Sequence, residues 1–301
     1  MAEIAVIKGR IASVTETKKV TDAMYMISSV KMNKARRAVE ETKPFFTELK
    51  REMGELFLHI PETKNRYFMA PASGKDAVRG ILLVTSDKGL AGAYNQSAIK
   101  VCETYLERHP EAKVFIVGEY GRQTFKAHGL PYEADFVYSA ELPTVWRARM
   151  ICADLLDAFD RGKVEEIHII YTDYQNGGES QCNRQILLPI QRSRFVEPDA
   201  EKAQSRSLFV PDPDTVLSGI IPSYLTGFIY SSLVDSYCSE QQARMAAMSA
   251  ASHNAEEMLK ELKTRYNRIR QDMITREITE ITAGARALRR AKAHHETKEK
   301  L

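Results

Sequence analysis

The last third of the chain sets the limits on what it can fold into. Ser239 to Leu288 reads SEQQARMAAMSAASHNAEEMLKELKTRYNRIRQDMITREITEITAGARAL without a proline, and Met248, Ala251, Ala255, Met258, Leu262, Tyr266, Ile269 and Met273 recur at spacings of three and four. Such a narrow apolar stripe belongs to a long helix that faces one partner helix. After Met273 the stripe moves to Ile274, Ile278, Ile281, Ala285 and Leu288, on another face. The end of this helix is therefore expected to contact something other than its first partner.

The partner is encoded at the opposite end. Ile4, Ile7, Ile11, Val14, Lys18, Thr21, Tyr25, Ser28, Met32, Ala35, Val39, Thr42, Phe46, Leu49, Met53 and Leu56 hold one alternating register, and only Lys18, Thr21, Ser28 and Thr42 among them are not apolar. A sustained heptad of this kind is the sequence form of a left-handed coiled coil. Pro44 lies inside the register and predicts a kink. Because the chain between about 60 and 210 separates the two helices, both leave one body and run antiparallel. At 1.5 Å per residue, an N-terminal helix of roughly 55 residues reaches about 80 Å and a C-terminal helix from near Asp214 to Arg290 about 110 Å. The longer helix is expected to overhang with an apolar tip, which gains nothing until a socket surrounds it.

Between them, VRGILLVT (Val78–Thr85) has the length and branching of a strand, followed by the glycine turn SDKGLAGAYN and a helical pattern to about His109. Lys113–Val117 and Glu119–His128 repeat the strand and helix, Thr144–Asp160 is an amphipathic helix before the strand Glu165–Thr172, and Asn183–Ile190 is a further strand. Alternation of this kind predicts an α/β body with a mainly parallel sheet covered on both faces. Gln191–Gln204 is polar and reads as an exposed loop. The expected division is 1–58 for the N-terminal coiled-coil helix, 59–211 for the α/β domain, and 212–301 for the C-terminal helix with a polar tail.

Function classes narrow accordingly. The SDKGLAGAYN turn lies where a phosphate could sit, but its glycines have neither dinucleotide-fold nor phosphate-loop spacing. The turn reads as a tight connection in which Gly89 and Gly92 allow close packing and Ser86 or Asp87 caps the following helix. His59, His109, His128, His168 and His253 are isolated, so no catalytic residue, cofactor or metal ligand is expected. Cys102, Cys152, Cys182 and Cys238 form no CxxC pair and read as reduced thiols. No run approaches the roughly 20 apolar residues of a membrane span; Ile220–Val234 is interrupted by Pro222 and Gly227. The helical register already running at Ile4 leaves no secretory signal pattern.

The formal charge of +3 hides a bias, with eight basic and two acidic residues from Lys8 to Arg37 and ten basic and four acidic from Lys260 to Lys292. Two basic tracts on paired helices fit an acidic protein partner. A stand-alone coiled-coil scaffold or a nucleic-acid binder is the alternative, although no nucleic-acid motif accompanies the charges.

RIASVTETKKVTDAMYMISSVKMNKA resembles the N-terminal signature of the gamma subunits of F-type ATP synthases, and Ser239–Leu288 resembles their C-terminal signature. SDKGLAGAYN is similar to their turn after the first strand. The resemblance implies a central-stalk rotor that couples a transmembrane proton gradient to ATP synthesis. It also implies partners: three alpha and three beta subunits, an epsilon subunit and the membrane c ring. The location implied is peripheral, on the cytoplasmic face of the bacterial cell membrane, with the active sites in beta.

Arg270 and Gln271 match a pair that contacts beta, Met24 matches a methionine facing an acidic lever of beta, and Ile281, Ala285, Ala287 and Leu288 match the apolar tip in the upper bearing. Leu208, Phe209 and Val210 match the segment that the resemblance implies at the foot, facing the c ring. Three departures are visible: Asp272 where the family favours a small apolar residue, Val210 where many members carry an acid, and a tail beyond Leu288. The inserted cysteine pair of chloroplast-type members is absent.

Overall fold

The computed structural model describes the backbone of residues 2–59, 65–71, 74, 77–174, 180–191, 195, 210 and 212–298. Its elements follow in the order α1 (Ala2–His59), β1 (Arg79–Val84), α2 (Tyr94–Leu106), β2 (Lys113–Val117), α3 (Glu119–His128), α4 (Val145–Asp160), β3 (Glu166–Asp173), β4 (Gln181–Leu188) and α5 (Pro213–Lys298). Most of the expected loop at 191–204 lies outside the described residues. The fold is the expected one: two long terminal helices and a central, mainly parallel α/β sheet. The chain forms two compact units, one of Tyr25–Ala247 and one of Met1–Met24 with Met248–Leu301.

In the larger unit the strands lie in the order β2-β1-β3-β4. β1 pairs in parallel with β2 and β3, whereas β4 pairs antiparallel with β3. The antiparallel edge follows from connection length, since only residues 174–180 separate β3 from β4 and a parallel return needs a crossover of about a dozen residues or more. Side chains alternate across the sheet. Ile81, Leu83, Val114, Ile116 and Ile170 pack toward α2 and α3, whereas Leu82, Val84, Phe115, Val117, Ile167 and Ile169 enter the other core. That second core takes Ala148, Ile151 and Leu155 from α4, Met53, Leu56 and Phe57 from α1, and Leu217, Ile221, Leu225, Ile229 and Leu233 from α5.

Local chemistry sets several ends. The Thr144 side chain accepts from Arg147 N and caps α4 at the residue where the pattern begins. Gly129, at φ +67°, closes α3 in the left-handed conformation. Gly227 of α5 touches the ring of Phe46 from α1 so closely that a Cβ there would lie 2.1 Å from the ring. Both helices continue through their prolines, Pro44 and Pro222. Against the expectation of no long apolar run, α5 does contain an 18-residue window of mean hydropathy 1.3, but half of that window is buried within the protein. Core burial on one face accounts for it.

In the smaller unit α1 and α5 run antiparallel. Asp22 Oδ1 accepts from the Ser252 hydroxyl at 2.5 Å, Lys8 Nζ lies 5.9 Å from the Tyr266 ring centre, and Arg265 lies 3.4 Å from Glu3. Of the expected α1 positions, all are buried or half-buried except Tyr25, which is 41% exposed. The α5 stripe needs one correction. Met258 is 48% exposed, and the neighbouring Leu259 takes the inward place. Ala255, Leu259, Leu262, Tyr266, Ile269 and Met273 then alternate four and three, the strict heptad that keeps a seam facing its partner.

Two consequences are measurable. Leu259→Ala should lower stability by about 1–2 kcal/mol, because a half-buried leucine contributes a part of its full transfer energy. Met258→Ala should change it by less than about 0.5 kcal/mol. Denaturant unfolding of the two variants compares them directly, and equal losses would contradict the assigned register.

The second concerns Asp235 on α5, whose carboxyl is pushed up to about 7 by burial and by the nearby Asp173 carboxylate, against a hydrogen bond from Ser231. A folded-state pKa above the unfolded one means that the native state holds the extra proton. Stability is therefore full below about pH 4 and falls as pH rises toward 7, by about 4 kcal/mol at most. Asp235→Asn, which imitates the protonated acid, should raise the melting temperature at pH 8 and leave it nearly unchanged at pH 4.5. A gain equal at both values would show that the charge is not the cause.

Candidate functional site

The surfaces singled out by sequence fall in different parts of the fold. Beyond Met273 the stripe loses its partner, and every side chain of α5 described from Ile274 to Leu288 is exposed. Ile274 is 46%, Ile278 56%, Ile281 71% and Leu288 69% exposed, with Ala285 and Ala287 beside them. Arg270, Gln271 and Asp272 are exposed as well, just before the stripe ends. Met24 is half-buried, two residues from Asp22 and its bond to Ser252. Arg270, Gln271, Met24 and the apolar tip all belong to the smaller compact unit. Of the residues expected to meet the c ring, Val210 is 75% exposed, whereas Leu208 and Phe209 lie outside the described residues.

The glycine turn is built differently from its sequence reading. Asp87 does not cap α2, whose N-cap residue is Ala93 with no side-chain bond. Its carboxylate instead accepts from Glu119 N at 3.0 Å, the first residue of α3, and from Ser139 Oγ, Ala140 N and Glu141 N at 2.5, 3.2 and 3.0 Å. Burial pushes this carboxyl up, but the hydroxyl and three amides outweigh it and hold the acid below its ordinary range. Ser86 bonds through both its N–H and its hydroxyl to Asn95 of α2. The polar groups of the turn thus face other parts of the protein rather than a phosphate. Gly92 takes φ +54°, and Gly118, at φ +99°, passes so close to Thr85 that a Cβ would lie 2.3 Å from the Thr85 carbonyl oxygen.

Sequence reasoning missed the charges that surround this turn. Glu141 accepts from Lys31 Nζ of α1 at 2.5 Å and lies 3.7 Å from Lys88. On α5, Arg244 Nη1 lies 2.7 Å from Glu240, and Arg244 Nη2 donates to the carbonyls of Lys88 and Gly89 at 3.2 and 3.0 Å. Glu240 is 5% and Arg244 8% exposed. Burial pushes the Glu240 carboxyl up, with Arg244 opposing. The available signal was their spacing of four on one helix face.

Among the described residues, the histidine side chains take packing and pairing roles. His168 is buried beside Tyr105 and lies 2.7 Å from Glu166, and its pKa is lowered by burial against the pull of that acid. His128 lies 3.2 Å from Glu103. Among the described residues no three His, Cys, Asp or Glu side chains gather in a way that could hold a metal ion. Cys102, Cys152 and Cys238 are buried free thiols and Cys182 is half-buried.

The chain matches the family model described as ATP synthase over residues 3–288. It is 35% identical over 295 residues to the ATP synthase gamma chain of Acetivibrio thermocellus, covering 96% of this chain and 100% of that one. It is 38% identical over 288 residues to the gamma chain of Caldanaerobacter subterraneus, with 92% and 97% covered. A chain from the Euglena gracilis mitochondrial ATP synthase structure is similar in fold, with a TM-score of 0.66 at 15% identity, over 97% of this chain and 96% of that one.

Proposed function

This chain belongs to the ATP synthase gamma chain family, and we propose that it turns as the central-stalk rotor between an ion-driven c ring and the catalytic subunits. One observation carries this reading beyond the family. The α5 stripe outlasts its partner helix, so that Ile274, Ile278, Ile281 and Leu288 leave much of their apolar surface exposed. Apolar surface at the end of a helix is stabilised only by a surrounding socket. In this reading Ile281, Ala285, Ala287 and Leu288 run in the bearing formed by three alpha and three beta subunits.

Arg270 and Gln271, exposed about three turns before the tip, contact a loop of beta. Met24 brushes the acidic lever of beta. Leu208, Phe209 and Val210 meet the c ring, with an epsilon subunit alongside. The chemistry of ATP formation resides in beta, and this chain supplies the asymmetric surface that drives it. The complex sits at the cytoplasmic face of the bacterial membrane, to which this chain is peripheral. Purification from native membranes tests the reading: stoichiometric alpha, beta and epsilon subunits are expected, and recovery of the chain alone would sink it.

Two variants test the contacts. Arg270→Ala with Gln271→Ala should leave the fold intact, since exposed substitutions change stability by less than about 0.5 kcal/mol, yet lower ATP turnover of the assembled complex several-fold. Loss of folding would place the pair inside the coil instead.

Met24→Lys adds a cationic arm facing an acidic lever, and an ion pair of about 0–1 kcal/mol at an exposed site, or more where water is excluded, must be broken at every step. ATP made per unit of driving force in reconstituted vesicles should fall while assembly is normal. Unchanged coupling would mean that Met24 faces something other than the lever.

A further inference from the structure

The charged residues around the glycine turn join four elements at one place. Asp87 binds the first amide of α3 and two consecutive amides of the segment before α4, and this fixes where Glu141 stands. Glu141 then accepts from Lys31 on α1. Immediately after Asp87, the carbonyls of Lys88 and Gly89 receive Arg244 from α5, which is itself oriented by Glu240. One turn of the body thus holds both terminal helices, α1 through Glu141 and α5 through its own backbone.

The crevice between these groups measures about 30 Å³, room for no more than a few water molecules. It is a polar contact rather than a ligand pocket. Its energetics point the same way. A buried ion pair seldom adds net stability, because desolvation offsets the attraction. What it adds is direction, since hydrogen bonds weaken steeply when bent whereas apolar contact is indifferent to sliding. A load that twists a helix against its body meets little resistance from apolar packing alone and strong resistance from a set of short, differently aimed bonds.

We propose that Asp87 is the positioning residue of a polar joint through which the α/β body drives both helices, and that this joint stays closed while the rotor turns. The proposal rests on the rotor reading. If the joint transmits torque, loosening it lets the body slip against the helices, so that ATP hydrolysis continues while ion pumping falls.

The test uses the whole complex reconstituted in vesicles. Asp87→Ala removes all four acceptor bonds and should lower ions pumped per ATP hydrolysed at least five-fold, with hydrolysis within about two-fold of the parent. Asp87→Asn keeps one acceptor oxygen and should recover part of the pumping. A second variant tests the joint independently of the stability of the turn. Lys31→Cys with Glu141→Cys, in a Cys182→Ser background, should pump poorly as thiols and regain pumping when joined by a short bismaleimide. If joining the two cysteines halts turnover, the joint must open during the cycle, and the proposal is overturned. Unchanged pumping per ATP in assembled Asp87→Ala would overturn it equally. Should Asp87→Ala fail to assemble, the bridged pair decides alone. Either failure leaves the rotor reading standing, because that reading falls only if the chain has no companion subunits.

Discussion

Everything in this protein depends on α5 having to bury two kinds of surface along one uninterrupted helix. From Leu217 to Leu233 its inward residues recur every four positions and enter the core of the α/β body, with Leu217, Ile221 and Ile229 having no exposed surface. From Met248 to Met273 the buried face narrows to a heptad seam served by one partner helix. The wide face suits a sheet and a neighbouring helix, and the narrow one suits a coiled coil. A chain that solved only one of these would be either a compact α/β domain or an isolated rod. The body needs the first half of α5 to close its core, and α1 needs the second half to cover its own register.

The charged groups at the glycine turn have a different energetic status from the apolar contacts around them. Burial of Leu, Ile and Phe side chains contributes stability in proportion to area and without regard to angle. Glu240 and Arg244 are nearly as buried as those side chains, yet such a pair adds little net stability, because each partner gives up its hydration to form it. They are held by complementary bonds, Arg244 donating at the same time to its acid and to two backbone carbonyls. The result is a contact whose value lies in geometry. Asp87 has the same character on the other side, with its carboxylate satisfied by four donors.

The end of α5 reverses this logic. Ile281 and Leu288 stand roughly two-thirds exposed on a helix with strong neighbours earlier along its length. In water these residues contribute nothing to the stability of the chain. Their stabilisation becomes available only on entering an apolar environment, which is the property expected of a surface made for a larger assembly.

Much of the fold was legible in the sequence because its signals are local. The period of the α1 register, the branched strand VRGILLVT and the amphipathic helix at 144–160 are set by residues within a few positions of one another. Three features were decided elsewhere. Between Met258 and Leu259, adjacent and both apolar, the period of α5 could not choose, and the register of α1 placed the leucine inside. Asp87 stands next to α2 in sequence, but folding brought α3 and the segment at 139–141 within hydrogen-bond reach and directed its carboxylate to them. Nothing in the local pattern of α5 distinguishes Glu240 and Arg244 from solvated charges; the turn after β1 closes over them. Sequence by itself determined which faces of each helix and strand are apolar, because side-chain period is a property of the local backbone. Only the tertiary structure decided which polar groups lose their water, because that depends on what distant segments bring against them.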